Sequence, residues 1–419
     1  MNRSTKETTI MEEGQTAKED FNVFVGAETG LLKGVSINPK MNIAKNFSNM
    51  HSLERKHEIT AMAWGNDEQN EILLGLRSGS VRTFDLEDKS FTSNFETQET
   101  PVRLVGIGRF DDCLVTASDQ GVVQVWRDPK ESFNSIDLEL SHSGKLKADN
   151  FKDEEEKEKH LVSLRSERSL LKMKMVPKSS KIVTAGKEHD VQVWDLNKSL
   201  NEPVFRAKNV PHDKLELRVP IWISDLCFPD NTTSDFIATV TRYGQIRLYD
   251  TRNNQRRPIL NMDWQDEVLT AVSSTPDSNE ILVGTATGHL AQFDVRMSTK
   301  GMRRKYRGGT GGIRSIDCHP THKFFAAVGL DRFLKLYDFN QPKPVQKVYL
   351  KSRLNHVLIS NTFEPTTALP KKEKESHKKR KKVDADTDPD IIEVKGDGDE
   401  FWAKLPVIRS DSKKKLKKK

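Results

Sequence analysis

Residues 182–196 read IVTAGKEHDVQVWDL: an apolar run, a short polar turn, then an alternating run that ends in an aromatic followed by Asp. Alternation with a period of two is the mark of a β-strand, and two such runs across a short turn make a hairpin. The same pattern occurs seven times. It begins at Val23 (VFVGAETGLLKGVSI), Ile72 (ILLGLRSGSVRTFDL), Leu114 (LVTASDQGVVQVWRD), Ile182, Phe236 (FIATVTRYGQIRLYD), Ile281 (ILVGTATGHLAQFDV) and Phe324 (FFAAVGLDRFLKLYD). Aligned on the residue after the aromatic, the hairpins mark Ser36, Asp85, Arg127, Asp195, Asp250, Asp294 and Asp338. The intervals are 49, 42, 68, 55, 44 and 44 residues, three of them at or just under the 40 to 45 of a four-stranded propeller blade.

The longer intervals need insertions. Lys145 to Lys159 (KLKADNFKDEEEKEK) is charged and without period, and reads as an exposed loop; Glu202 to Trp222 is not low-complexity and reads as a packed excursion. A further short strand precedes most hairpins: ITAMAWG from Ile59, VRLVGIG from Val102, IWISDLCF from Ile221, VLTAVSS from Val268 and IRSIDCH from Ile313. The first hairpin lacks one, and Ser352 to Ser360 (SRLNHVLIS) follows the last hairpin with none after it. A ring must be closed, since an open stack leaves unpaired edges. The expected fold is therefore all-β: a seven-bladed WD-repeat β-propeller over residues 21–361, closed by the C-terminal strand 352–360 pairing with the blade of Val23 to Ile37. Only Trp194-Asp195 is a literal WD dipeptide.

Of the 419 residues, 35% are hydrophobic and 31% charged, too polar to be folded throughout. Lys371 to Lys419 holds 17 Lys and Arg against 11 Asp and Glu, so the tail carries +6 of the net +7. Its blocks are basic (KKEKESHKKRKK, Lys371 to Lys382), acidic (Asp384 to Glu400), and basic again (Lys413 to Lys419), with an apolar island at Phe401-Trp402. Such blocks cannot bury enough surface to offset ordering entropy, and disorder is expected for 362–419 and for 1–20. The cluster Lys378, Lys379, Arg380, Lys381 and Lys382 suits a nuclear import signal. No apolar run approaches the length of a membrane helix, and the first twenty residues have no signal-peptide core, which argues against membrane insertion and secretion. Three distant cysteines, Cys113, Cys227 and Cys318, make no disulfide or zinc framework.

No catalytic, cofactor or metal constellation is legible, and a non-enzymatic protein is expected. Gly308 to Gly312 lacks the following Lys-Ser/Thr of a phosphate loop and reads as a flexible connection; Cys318-His319 reads as a packed thiol; Asp119, Asp331 and His57 read as turn residues. Propellers act through their surfaces, and three features are candidates for contact with RNA or an acidic protein. Arg296 to Arg314 holds seven basic residues and no acid, among them Arg303, Arg304, Lys305 and Arg307, in what reads as a mobile connection on the same side as Arg256 and Arg257. The excursion Glu202 to Trp222 offers Arg206, Lys208, Asn209, Arg218 and Trp222. The tail's basic clusters are the third.

The stretches GAETGLLKGV (26–35), EPVFRAKNV (202–210), LRVPIW (217–222), QRRP (255–258), GLDR (329–332, including Arg332) and KVYLKSRLN (347–355) resemble the WD repeat-containing protein 74 family and its fungal counterparts. The resemblance spans the propeller; the tail matches only in kind. It implies a nucleolar assembly factor for the large (60S) ribosomal subunit, joining pre-60S particles with other assembly factors and precursor rRNA, released by an AAA-type ATPase and linked to the exosome-associated RNA helicase. On this reading the protein is a monomer within a larger complex. The alternative is a peptide-recruiting propeller of a nuclear ubiquitin ligase or chromatin complex.

Overall fold

The second and third strands of each repeat are buried on both faces, because each sheet is sandwiched between two others. In the strand Phe236–Thr241, Ile237 packs toward the preceding sheet while Ala238 and Val240 pack toward the following one. A computed structural model describes residues 21–37, 43–47, 54–97, 102–111, 113–127, 134–138, 164–165, 169–197, 202–212, 214–229, 235–253, 255–264, 267–297 and 301–362. Segments 1–20 and 145–159, the import cluster 378–382 and the Phe401-Trp402 island lie outside the described residues.

Seven antiparallel sheets form the ring. Taking strands from the channel outward, blade 1 is Leu354–Ile359, Val23–Ala27, Leu32–Ser36 and Ile43–Asn46. Blades 2 and 3 begin at Ile59–Trp64 and Leu104–Phe110; a two-residue strand, Leu164–Arg165, adds to blade 3. Blade 4 is Leu170–Met175, Lys181–Gly186, Gln192–Asp195 and Phe205–Arg206, and blade 5 is Ile223–Cys227, Phe236–Thr241, Gln245–Asp250 and Leu260–Asp263. Blade 6 runs from Leu269–Ser274 to its outer strand Met302–Tyr306, and blade 7 from Ile313–Cys318 to Gln346–Tyr349. Closure follows the expected pairing, with Val23 opposite Ile359 and Val25 opposite Val357. There is no central core. Seven apolar clusters occupy the seven seams between neighbouring blades, each drawing residues from both.

The Asp that marks the repeat has a local physical cause. In Asp85, Asp195, Asp250, Asp294 and Asp338 the Oδ1 accepts the backbone N–H two residues on, at 2.8 to 3.1 Å, which starts the turn to the outer strand. The aromatic before the mark is fixed by its own blade: Trp194, before Asp195, donates from Nε1 to Thr184 Oγ1 at 3.3 Å, and Trp126, before Arg127, to Thr116 Oγ1 at 3.0 Å. The innermost ladder of every blade carries a β-bulge near its start. In three blades the bulged residue's side chain reaches the next blade: Ser224 Oγ donates to Leu269 O (2.7 Å), Thr270 Oγ1 to Ile313 O (2.6 Å) and Asn355 Nδ2 to Ile59 O (3.0 Å).

Two expectations are corrected. Arg303, Arg304 and Lys305 lie in the outer strand of blade 6, not in a mobile loop: Arg304 pairs with Gln292 and Lys305 with Ala291, and Arg303 sits at a β-bulge between Arg304 and Met302. Gly308 to Gly312 is a tightly packed connection, not a flexible one. A Cβ at Gly309 would lie 1.8 Å from the Gly288 carbonyl oxygen and one at Gly312 would lie 2.8 Å from that of Ala286, so only glycine lets these backbones approach.

Candidate partner-binding surface

In each blade the turn between the second and third strands lies at the same end of the ring as the connection to the next blade. That end is called here the upper face. At the junction of blades 4 and 5 the connection is long, 207–222, and it is anchored from below. Asn209 Nδ2 donates to Val219 O (2.7 Å), while its Oδ1 accepts from Arg247 Nη1 (3.1 Å) and from the Val210 N–H (2.9 Å). Arg247 is fully buried, its remaining nitrogens donating to Asn261 and Gln245. The excursion is therefore packed, as its composition suggests.

Above this anchor the segment presents its other side chains. Arg218 Nη2 is 2.7 Å from Glu188 Oε2, and the Glu188 N–H donates to Ile221 O at 3.0 Å, which ties the connection to the blade 4 turn. Trp222 is half-buried; the Lys187 ammonium lies 4.8 Å and the Arg242 guanidinium 5.0 Å from its ring centroid, with the Tyr243 ring edge-on at 6.3 Å. Such contacts hold the cations on an aromatic face instead of neutralising them. Leu215, Leu217 and Tyr243 are 76%, 60% and 50% exposed, the largest apolar exposures on this face among the described residues.

On the rim of the same junction, Arg256 Nε donates to Arg206 O (2.7 Å) and the Lys208 N–H to Arg256 O (2.8 Å), so the two chains bridge the seam through backbone oxygens. Their charges stay outside: Arg206, Lys208, Arg256 and Arg257 are all exposed. Blades 4 and 5 thus carry exposed cations both on the rim and on the upper face.

The other predicted residues are not brought together with these. Arg303 is bound to Asp294 (2.5 Å) and Glu280 (3.0 Å), and with Arg296 it holds the buried Asp294 carboxyl far below the usual carboxylate range. Arg304 donates to Phe339 O at 2.6 Å. Lys305 lies over the Trp264 ring at 5.8 Å, and Arg307 and Arg332 are exposed in separate connections. Lys187, Arg242 and Tyr243 were not singled out by sequence. Their signal is positional: Lys187 and Arg242 each follow the second strand of successive blades, 55 residues apart, the repeat interval itself.

The inner strands line a channel of about 430 Å³. In it Asp225 lies 3.6 Å from the Lys172 and 3.3 Å from the Lys174 ammonium, and accepts the N–H groups of Leu226 and Val272. Burial raises its pKa, but the two lysines and the two N–H donors together outweigh that and leave it below its ordinary value. His356 Nε2 donates to Thr60 O, and burial lowers its pKa to about 3, so it is neutral. Asp317 is pushed up to about 6 by burial while accepting from Ile359 and Cys318 N–H groups. Every one of these groups is engaged in joining inner strands, and no nucleophile and base are paired among them. Burial raises the Cys318 thiol well above its ordinary value, which makes it inert. Among the described residues no three His, Cys, Asp or Glu side chains are grouped to hold a metal, and no helix is long and apolar enough to cross a membrane.

The family described as nucleolar protein 10-like, N-terminal domain, matches residues 132–363, more than half of the chain. Over 340 residues the chain is 35% identical to WD repeat-containing protein 74 of Bos taurus and of Homo sapiens, covering 81% of this chain and 80% of each relative. It is 33% identical over 205 residues to Ribosome biogenesis protein NSA1 of Meyerozyma guilliermondii, covering 42% of this chain and 50% of that protein. With identity at that level across four-fifths of both chains, and a seven-bladed ring beneath it, this chain belongs to the WD repeat-containing protein 74 family.

Proposed function

We propose that the protein is a ribosome biogenesis factor acting in the nucleolus on precursors of the large subunit, as a scaffold and not as an enzyme. The observation that carries this is the kinship with WD repeat-containing protein 74 and with fungal relatives named for ribosome biogenesis. The propeller, residues 21–361, is the binding unit, and Arg206, Lys208, Arg256 and Arg257 are its contacts to rRNA phosphates or acidic assembly proteins. Exposed cations attached to a rigid ring suit both, since they need no reordering to meet a phosphate or carboxylate. The tail, 362–419, carries the import cluster Lys378 to Lys382. Release by an AAA-type ATPase and contact with the exosome-associated RNA helicase belong to the same proposal by family kinship.

The test is gradient sedimentation of the tagged protein from nuclear extract, with and without RNase, probing for large-subunit precursor RNA. Co-migration lost on RNase treatment, and weakened by joint substitution of Arg206, Lys208, Arg256 and Arg257 by Glu at unchanged melting temperature, is the expected result. A small RNase-insensitive peak away from precursor particles overturns the reading in favour of a peptide-recruiting propeller.

A further inference from the structure

The upper face at blades 4 and 5 combines two things rarely left open together: apolar and aromatic surface, and cations with few carboxylates to meet them. Lys187 and Arg242 stand over the Trp222 ring with Tyr243 edge-on to it, and Lys214 is exposed in the same connection; of the carboxylates, Glu188 is occupied by Arg218 and Glu267 by Thr287 and His289, while Glu216 is exposed beside Lys214. A complementary ligand has to be acidic along most of its length and aromatic at one point. The chain contains such a segment. Asp384 to Glu400 carries eight acidic residues and one basic, and Phe401-Trp402 follows at once.

We propose that this patch is the docking site of the chain's own segment Asp384 to Leu405, with the aromatic pair against Trp222 and Tyr243 and the carboxylates toward Lys187 and Arg242. Of the tail's three charge blocks only this one is attracted, since Lys371 to Lys382 and Lys413 to Lys419 are repelled by the same cations. The tether is long enough. Thr362 ends the described chain at the lower end of blade 1, beside Gln69, and the 21 residues to Val383 span up to about 70 Å when extended. A further 17 residues before Phe401 bring the aromatic pair within reach of any point on a ring whose six-residue strands are about 20 Å high. Tethering supplies an effective concentration on the order of 1 mM, so a contact too weak to be seen between separate molecules is well populated within one. An acidic partner of higher affinity would displace the segment, which makes the tail a competitor that screens weak ligands from this face.

The inference does not rest on the ribosome-assembly reading, because it is tested on the purified full-length chain alone. A carbodiimide couples carboxylates to lysine amines at zero length, and the linked peptides are identified by mass spectrometry from a mixture of light and isotope-heavy protein. The expected result is linkage of acids within 384–400 to Lys187 or Lys214 in peptides of a single isotope. It should fall at least fivefold in Arg242→Glu with Tyr243→Ser, in Phe401→Ala with Trp402→Ala, and in 0.5 M salt. The first pair of side chains is exposed and the second lies in the tail, so melting temperatures should not move. Linkage confined to the tail's own lysines, linkage of mixed isotopes, or linkage indifferent to both variants overturns the proposal. In the mixed-isotope case the occupant is a second copy.

Discussion

Two seams of the same ring have been put to opposite uses. Where blade 7 meets blade 1, a lysine is turned inward: Lys33, 6% exposed, sends its ammonium across the seam to the carbonyl of Leu350, whose own N–H goes to Arg332 O, while the Arg353–Glu28 ion pair at the edge stays in contact with water. Where blade 4 meets blade 5, the backbone is joined in the same manner, but Arg206, Lys208, Arg256 and Arg257 keep their charges in water. The geometry of the blades is shared, and the difference lies in what the connecting segments carry. Both seams are crossed by the chain itself, but blade 1 is also where the N- and C-terminal segments meet, Val23–Ala27 against Leu354–Ile359, and the apolar cluster packed on that pairing leaves Lys33 little water. Between blades 4 and 5 the connection 207–222 is tied down through backbone groups, which leaves its side chains free to present charge.

The sharpest way to break the comparison is to remove the closure. A chain ending at Arg353 loses the inner strand of blade 1, leaving Val23–Ala27 as an open edge and the cluster around Val25, Val357 and Ile359 half empty. It should show no cooperative unfolding transition, whereas a chain ending at Leu369 should melt with the full-length protein. Equal melting curves for the two would mean that the ring does not depend on this strand. No comparable loss is expected from any cut within the exposed part of 207–222, and thermal denaturation of a chain nicked there separates the two seams.

The internal seam is probed by Asn209→Ala. It removes the acceptor of buried Arg247 and the donor to Val219 O together, and hydrogen bonds to a charged group are worth about 1.5 to 3 kcal/mol. Urea unfolding should show a loss of about 2 to 3 kcal/mol, and amide exchange should accelerate across 207–222 but not at 350–359. By contrast Arg257→Glu, whose side chain is exposed, should cost under about 0.5 kcal/mol. If Asn209→Ala were neutral, the excursion would not be anchored through Arg247 and the cationic surface would lack its rigid base.

The same contrast explains what could be read from sequence. The seven hairpins were legible because their strands are buried on both faces and five of them end in an Asp that starts a turn; the closing strand was legible because it follows the last hairpin with none after it, while the first hairpin has no strand before it. The inner strand of blade 4, Leu170–Met175, was not recognised: Lys172 and Lys174 alternate with Met173 and Met175 and face the channel and Asp225, so a strand in the ring's interior carries charge and reads as a solvated segment. The outer strand Met302–Tyr306 was mistaken for a loop for a related reason. Only one of its faces is buried, through Tyr306 against Phe325 and Tyr337, and the rest reads as solvated charge. The ring of cations around Trp222 was half legible. Its indole and Arg218 fall in one recognisable stretch, but Lys187 and Arg242 arrive from two turns that only the closed ring sets side by side.

An effect smaller than that of Asn209→Ala is predicted for Lys33 at the closing seam. Burial, with Lys351 beside it, lowers its pKa to about 8, below the unfolded value near 10.5. Between those pH values the unfolded chain holds more protons than the folded one, so this residue makes stability rise with pH across that window, and below pH 8 its charge counts against folding. Lys33→Met keeps the buried stem and removes both the charge and the bond to Leu350 O. The desolvation relieved is on the order of 3 kcal/mol, set against a lost hydrogen bond to a charged donor of about 1.5 to 3, so the net change at pH 7 should stay within about 1 to 2 kcal/mol. The distinctive reading is the slope: urea unfolding at pH 7, 8, 9 and 10 should show the wild type gaining on the variant as pH rises. Parallel curves would place the ammonium in water, and the closing seam would then be no drier than the one between blades 4 and 5.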